Sequence, residues 1–223
     1  MTNKRGRFKV KKRLVMTIAF LVLCMVVLLG ACNRENGRLP SSPKTLLEHG
    51  QDVIALMDEM AGSESYRQAV GGSDELKQVM QSLGNHGQPL AVYKITLPDT
   101  LVTSSFGIDT SDWSDALKQN LRDRTASMIV NQLNSSMGVA KLAAASACTA
   151  QKTFVSEDVT APVTYLYVYG GATPAAVTFV PGEDGAVMAS GVFVFTDSLP
   201  TGSLEEVKEM FAPYSATVEQ VTE

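Results

Sequence analysis

The sequence predicts an α+β domain, in which helices pack on one face of a mostly antiparallel sheet with a C-terminal three-stranded meander. Two observations support this fold class. Apolar residues recur at helical spacing through much of the first 150 residues. Three strand-like runs joined by short turn-forming stretches then follow. Helical segments that precede closely linked strands are typical of α+β architecture rather than of alternating βαβ units.

The segment after residue 40 predicts two helices separated by a glycine pair at positions 71–72. Ser42-Pro43 suits the N-cap and the first helical position. Helical spacing to about Ala61 is carried by an apolar set: Leu46, Leu47, Val53, Ile54, Met57 and Met60. Ser73 caps the second helix, "DELKQVMQSL", which stops at Gly84.

The middle of the chain predicts one strand and two helices. "LAVYKITL", residues 90–97, is strand-like and ends at Pro98. Ser111 or Asp112 starts a helix with one apolar stripe: Trp113, Leu117, Leu121, Met128 and Leu133. The alanine-rich segment at 139–150 is predicted to be a further, tightly packed helix.

The C-terminal part predicts the meander and a closing helix. The strand-like runs cover residues 162–169, 175–180 and 186–195, and they are joined by "GGATP" and "PGEDG". Ser203-Leu204-Glu205-Glu206 is a capping-box pattern for a helix through Phe211. The final "ATVEQVTE" is predicted to be an edge strand.

The N-terminus has the pattern of an export leader. Residues 1–31 contain no acid, and Leu14–Leu29 is a run of sixteen residues without charge. Seven basic residues precede this run: Lys4, Arg5, Arg7, Lys9, Lys11, Lys12 and Arg13. Leu29-Gly30-Ala31-Cys32 resembles the lipobox of bacterial lipoproteins, which is a branched aliphatic residue, two small residues and a cysteine.

This resemblance implies that Cys32 carries a lipid with fatty acyl chains such as palmitate. It divides the chain into a signal peptide (1–31), a lipidated N-terminus with a flexible tether (32–43) and one globular domain (44–223). The alternative is an uncleaved signal anchor. Both interpretations predict a cell-membrane protein with residues 33–223 outside the cytoplasm, because the basic flank stays inside.

The charge of the chain argues against a nucleic-acid partner, and its cysteine content argues against an intramolecular disulfide. Without the leader, 12 basic residues face 23 acidic ones, a formal charge of −11. Such an acidic domain is repelled by nucleic acid, so the sequence predicts no nucleic-acid partner. Cys148 is the one cysteine beyond Cys32, and it therefore has no partner for an intramolecular disulfide.

The sequence contains little that indicates catalysis. His49 and His86 are the only histidines, and the zinc-protease, P-loop and nucleophile-elbow motifs are absent. Cys148 and Ser190, in "MASGV", are the candidate nucleophiles for a hydrolase. Since no pattern links either of them to a histidine, we expect no catalytic residue, and Cys148 is predicted to be a small buried residue.

Acidic residues in "DTSDWSD" are interpreted as helix-capping groups. Asp109, Asp112 and Asp115 lie near a predicted helix N-terminus, where the macrodipole favours negative charge. Calcium would need about six to eight oxygen ligands from a suitable loop, and the EF-hand pattern is absent. We therefore predict no metal site and no cofactor.

Three tyrosines are the one candidate binding surface. Tyr165, Tyr167 and Tyr169 alternate in one strand and so project from one face. A four-residue loop "GGAT" would set Leu166 opposite Val177 and place the tyrosines on the less apolar face, whereas a five-residue loop "GGATP" reverses the faces. We prefer the first register because it gathers the apolar residues on the other face.

This register predicts a partly exposed tyrosine ridge beside small residues, a surface suited to a ligand. A five-residue "PGEDG" loop completes the prediction by placing four residues together on the apolar face: Val177, Phe179, Val187 and Ala189.

The sequence therefore favours a membrane-anchored extracytoplasmic lipoprotein that binds an envelope protein, peptide or glycan without catalysis. The competing interpretations are a cell-envelope hydrolase with an unrecognised serine or cysteine site and a structural accessory of a membrane complex. A hydrolase would place a histidine or paired acids in a cleft.

Overall fold

The centre of the domain is a six-stranded antiparallel sheet with strand order β2-β5-β4-β3-β1-β6. The computed structural model describes residues 44–83, 85–98, 112, 114 and 129–221. The strands are β1 (Ala91–Thr96), β2 (Ala150–Val155), β3 (Val163–Val168), β4 (Ala175–Pro181), β5 (Ala186–Phe193) and β6 (Thr217–Val221).

Helices lie on both sides of this sheet. Within the described residues they are α1 (Leu46–Gly62), α2 (Glu64–Val70), α3 (Asp74–Ser82), α4 (described over 129–136), α5 (Val139–Ala147) and α6 (Leu204–Phe211). Within the described ranges, none of the helices combines the length and apolar character needed to cross a membrane.

The predicted α+β class, the antiparallel sheet and the meander of β3, β4 and β5 are confirmed. The helices, however, cover two faces rather than the one face that we expected. Helices α1, α3 and α5 contribute to one apolar cluster, which includes Val53 and Met57. Helices α4 and α6 contribute to a second cluster on the other face, which includes Val207 and Phe211.

Local capping signals place several helix starts. Ser73 caps α3, and Ser203 with Glu206 forms the predicted capping box of α6. The first helix begins later than predicted: its N-cap is Thr45, which forms a capping box with Glu48, rather than Ser42. A reciprocal pair of hydrogen bonds to Thr45 satisfies two N–H groups, and this favours the later start.

Two short elements were not predicted, namely α2 and the edge strand β2. Strand β2 begins at Ala150, where the alanine-rich helix had been expected to end. Of the stripe predicted for the central helix, Leu133 lies in α4, and Trp113, Leu117, Leu121 and Met128 lie outside the described residues.

The predicted register of β3 against β4 is wrong by one residue. Tyr165, not Leu166, lies opposite Val177. The slip places the tyrosines on the same face as Phe179 and Val187, which do share a face as predicted. Our prediction assumed one apolar face, but the second helical layer covers the other side and buries Leu166 there.

The tyrosines are consequently core residues rather than an exposed ridge. Tyr165 is 9% exposed, Tyr167 0% and Tyr169 8%. Tyr165 packs edge-on against Phe179, with ring centroids 5.6 Å apart. The Tyr167 hydroxyl donates to the Leu47 carbonyl at 3.2 Å, so its polar end is satisfied inside the core.

Helix α1 approaches β3 through a glycine. A Cβ on Gly50 would lie 1.9 Å from the Tyr167 hydroxyl oxygen and 2.6 Å from Cζ of the same ring. Because the ring is fully enclosed, it has little room to move. Gly50 therefore sets the distance between the helix and the sheet.

Gly50→Ala should destabilise the domain by about 1–3 kcal/mol, because the steric conflict with Tyr167 outweighs the better helix propensity of alanine. The matched control is Gly62→Ala in the same helix, where an added Cβ meets nothing within 4 Å. That variant should be neutral or gain up to about 1 kcal/mol. Urea unfolding of both variants measures the difference, and equal stabilities would contradict the close approach.

Candidate functional site

The residues singled out in the sequence do not come together in one site. Cys32 lies outside the described residues, as do Asp109 and Asp115. Asp112 is an exposed turn residue. Among the described residues, no group of three or more His, Cys, Asp or Glu side chains is arranged to hold a metal ion.

The side chain of His86 is fully buried and bonded at both ring nitrogens. Its Nδ1 lies 2.5 Å from Asp58 Oδ1, and its Nε2 lies 2.7 Å from the Thr173 carbonyl oxygen. The His86 backbone N–H also donates to Asp58 Oδ2 at 2.8 Å. Because a backbone carbonyl can only accept, Nε2 carries the proton that it donates to Thr173.

This arrangement makes His86 a structural link rather than a general base. A general base needs a free nitrogen within reach of the proton that it abstracts, and both nitrogens of His86 are occupied in the buried interior. The ring also stacks near Phe193, with centroids 5.1 Å apart, and meets Tyr169 edge-on at 4.6 Å. His86 thus ties α1 to the loop between β3 and β4.

His49 lies on α1 beside β2 and stacks on Phe154 with ring centroids 3.7 Å apart. Its Nδ1 is buried without a hydrogen-bond partner among the described residues. Burial lowers the pKa of His49, and the charges of Lys152 and Lys44 add to this effect against the opposing pull of Asp52. The neutral ring is therefore favoured in the folded state.

The two candidate nucleophiles are not paired with a histidine. Cys148 is completely buried, and burial raises the pKa of its thiol to about 12. The reactive thiolate is consequently scarce at neutral pH. Ser190 alternates with Ala189 and Gly191 and projects from the sheet face opposite to that of Phe193 and His86.

A cavity of about 490 Å³ opens where β3 and β5 end and β4 begins. This volume lies within the range of about 300–1,000 Å³ that is common for small-molecule sites. The loop from β3 to β4, the end of β5 and the segment before α6 form most of the wall. The lining comprises 168–174, 194–196, 199–202, Ser82, Leu90 and Lys141.

Three buried side chains hold the backbone of this wall. His86 binds the Thr173 carbonyl. Asn134, which is 0% exposed, donates to the Phe193 carbonyl at 2.9 Å and accepts from the Phe195 N–H at 2.8 Å. The Tyr93 hydroxyl donates to the Gly202 carbonyl at 2.7 Å.

The sequence analysis did not identify this cavity as a site. Its lining comes from separate segments of the chain, and most of its residues are ordinary loop residues. One local signal was present, because "GGATP" had been recognised as a turn, but a turn by itself does not indicate a ligand.

Asp58→Asn should retain most of the stability, because an asparagine can accept from the His86 N–H and donate to Nδ1 of a neutral ring. Asp58→Ala should lose several kcal/mol, since about 1–3 kcal/mol is expected for each buried donor left unpaired. Urea unfolding measures both, and ¹⁵N spectra of the imidazole should show a neutral Nε2–H tautomer in the asparagine variant.

The control is Asp74→Asn. The Asp74 side chain is 94% exposed, so this variant should change the stability by no more than about 0.5 kcal/mol. Equal losses for Asp58→Asn and Asp58→Ala would mean that the carboxylate charge, and not the hydrogen-bond geometry, holds the loop.

His49→Phe should reduce the loss of stability on acidification. Burial holds the pKa of His49 below its ordinary value in the folded state, so the unfolded chain takes up this proton first as the pH falls. The contribution of His49 to the free energy of unfolding is therefore fully present above about pH 6.5 and declines as the pH falls below that value. Urea unfolding at about pH 7 and pH 5 should show a smaller decline for His49→Phe than for wild type. Equal declines would show that His49 is not desolvated.

Comparison of the chain with protein-family models, with curated protein sequences and with solved structures finds no match. Function must therefore be inferred from the chain's own residues. Two features carry information: the pattern that ends at Cys32 and the cavity whose wall is held by His86, Asn134 and Tyr93.

Proposed function

We propose that this protein is a lipid-anchored extracytoplasmic lipoprotein whose α+β domain binds a ligand without catalysis. The single observation that carries the proposal is the succession of a basic segment, the apolar run Leu14–Leu29 and Leu29-Gly30-Ala31-Cys32. Small residues before the cysteine let a peptidase reach an extended backbone. Acyl chains on Cys32 then replace the leader as the membrane anchor.

The energetics favour lipid anchoring by more than one chain. Each buried CH₂ group contributes about 0.8 kcal/mol, and two or three acyl chains hold firmly where a single chain gives reversible binding. The segment between Cys32 and the first described helix is polar and rich in turn-forming residues, "NRENGRLPSSP". Such a composition suits a tether between the anchor and the domain.

The cavity supports the binding half of the proposal. Its lining combines the partly exposed apolar residues Pro174 and Leu199 with the hydroxyl-bearing residues Thr173 and Thr196, the mixture that is typical of ligand sites. The contacts of His86 and the burial of Cys148 favour binding over hydrolysis, because neither residue offers a reactive group to the cavity. We propose this cavity, rather than the tyrosine ridge, as the binding site.

Cys32→Ala should abolish acylation and leave a longer precursor that retains its leader, because the thioether can form only on the cysteine sulfur. Metabolic labelling of the full chain with a clickable fatty acid in a bacterial host, followed by gel analysis, measures both effects. The controls are Cys24→Ala and Cys148→Ala, which should label and migrate like wild type. Unchanged labelling of Cys32→Ala would show that Cys32 is not the anchor.

A further inference from the structure

We infer that the cavity takes a small free organic carboxylate, whose charge is bound by Lys141 and whose apolar body lies against Pro174 and Leu199, close to Phe195. This inference rests on the proposed binding function and adds the class of ligand. Among the described residues that line the cavity, Lys141 is the one that carries a full charge.

Lys141 has no ion-pair partner within the described part of the chain. Four of the other five described lysines do have one; Lys44 and Lys152, for example, both reach Asp52, at 2.7 and 2.9 Å. The fifth, Lys94, has none among the described residues, but it does not line the cavity. The contrast is notable in a chain with 23 acidic residues, where a carboxylate neighbour would be easy to find. A lone ammonium group at the wall of a cavity attracts an anion more strongly than one in open solvent does, because the effective dielectric constant is lower there.

The surroundings of Lys141 define the rest of the ligand. Its Nζ lies over the Phe195 ring, 5.9 Å from the centroid. Phe195 is 7% exposed, so it positions the ammonium group and offers little surface of its own to a ligand. Pro174 and Leu199 add apolar surface to the wall. The ligand should therefore have an apolar or planar body attached to its charged group.

The number of charges favours a carboxylate over a phosphate. One lysine balances one negative charge, whereas a phosphate group is usually held by several donors or cations together. Of the threonines that line the cavity, Thr201 already donates to Glu206 Oε1 at 2.8 Å. The hydroxyls of Thr173 and Thr196 remain, but the described lining offers no second cation for the second charge of a phosphate. A singly charged organic acid fits the cavity best.

The test compares two probes of nearly equal shape, 4-fluorobenzoate and the neutral 4-fluorobenzamide. Their binding to the full chain in detergent micelles can be followed by ¹⁹F relaxation of the probe. We expect the carboxylate to bind at least about fivefold more tightly than the amide, which corresponds to one charge interaction at a partly exposed site.

Three variants test whether the preference for the carboxylate over the amide comes from the Lys141 charge and from binding in this cavity. Lys141→Met removes the charge while keeping an unbranched apolar side chain of similar length, and it should reduce benzoate binding to the level of the amide. Lys141→Arg keeps the charge and should retain the preference. Thr196→Trp should fill the cavity and remove the binding of both probes. Any probe relaxation that remains in this variant measures partition into the micelles. Circular dichroism and urea unfolding confirm that each variant is folded, and Lys141→Gln replaces the methionine variant if that one is not.

The outcomes separate the ligand class from the binding function. Equal binding of both probes that is lost in Thr196→Trp would overturn the carboxylate inference and leave the binding function standing. A benzoate preference that persists in Lys141→Met would overturn the assignment to Lys141. Failure of both probes to bind the wild-type chain would overturn the inference as well, whereas the lipoprotein assignment is decided independently by acylation of Cys32.

Discussion

The burial of β3 on both faces is the constraint on which the rest of the structure depends. Tyr165, Tyr167 and Tyr169 fill one side of this strand, and Leu166 and Val168 fill the other, each with 9% or less of its surface exposed. Full burial of one large apolar side chain contributes about 1.5–3 kcal/mol. A strand of this composition is stable only between two covering layers, and the domain therefore needs helices on both sides of its sheet.

The large side chains on the tyrosine face determine where α1 can lie. The helix crosses the sheet at Gly50, which faces Tyr167, and at Gly191 of β5, where a Cβ would lie 2.6 Å from Met57 Sδ and Val53 Cγ1. These two contacts place α1 so that Asp58 reaches the loop with His86. His86 in turn reaches Thr173 on the cavity wall. Packing of the core is thus connected to the shape of the cavity through a short series of contacts.

Features with a local cause could be predicted from the sequence, and features with a distant cause could not. The capping residues Ser73 and Ser203 act on N–H groups within three residues of themselves, so a short pattern was sufficient. The register of β3 has no such local cause. Both of its faces are apolar, and a slip of one residue against β4 keeps apolar contacts on each side. The link between Asp58 and His86 spans 28 residues, and nothing near either residue indicates the other. Lys141 resembles any surface lysine until the fold places Phe195 beside it.

The contacts of the cavity wall bear on how a ligand would bind. Each of three lining segments is held by one buried side chain from another part of the chain, namely His86, Asn134 and Tyr93. In addition, the Val194 N–H donates to the Pro174 carbonyl at 2.7 Å and so extends the pairing of β4 with β5 up to the wall. These hydrogen bonds are costly to break, because leaving a buried donor or acceptor without a partner costs about 1–3 kcal/mol of stability. The described wall is therefore held in one shape by the fold itself, and the proposed ligand would not have to order it. Preorganisation lowers the entropy cost of association, so a small ligand with a single charge can bind measurably even though it makes few contacts.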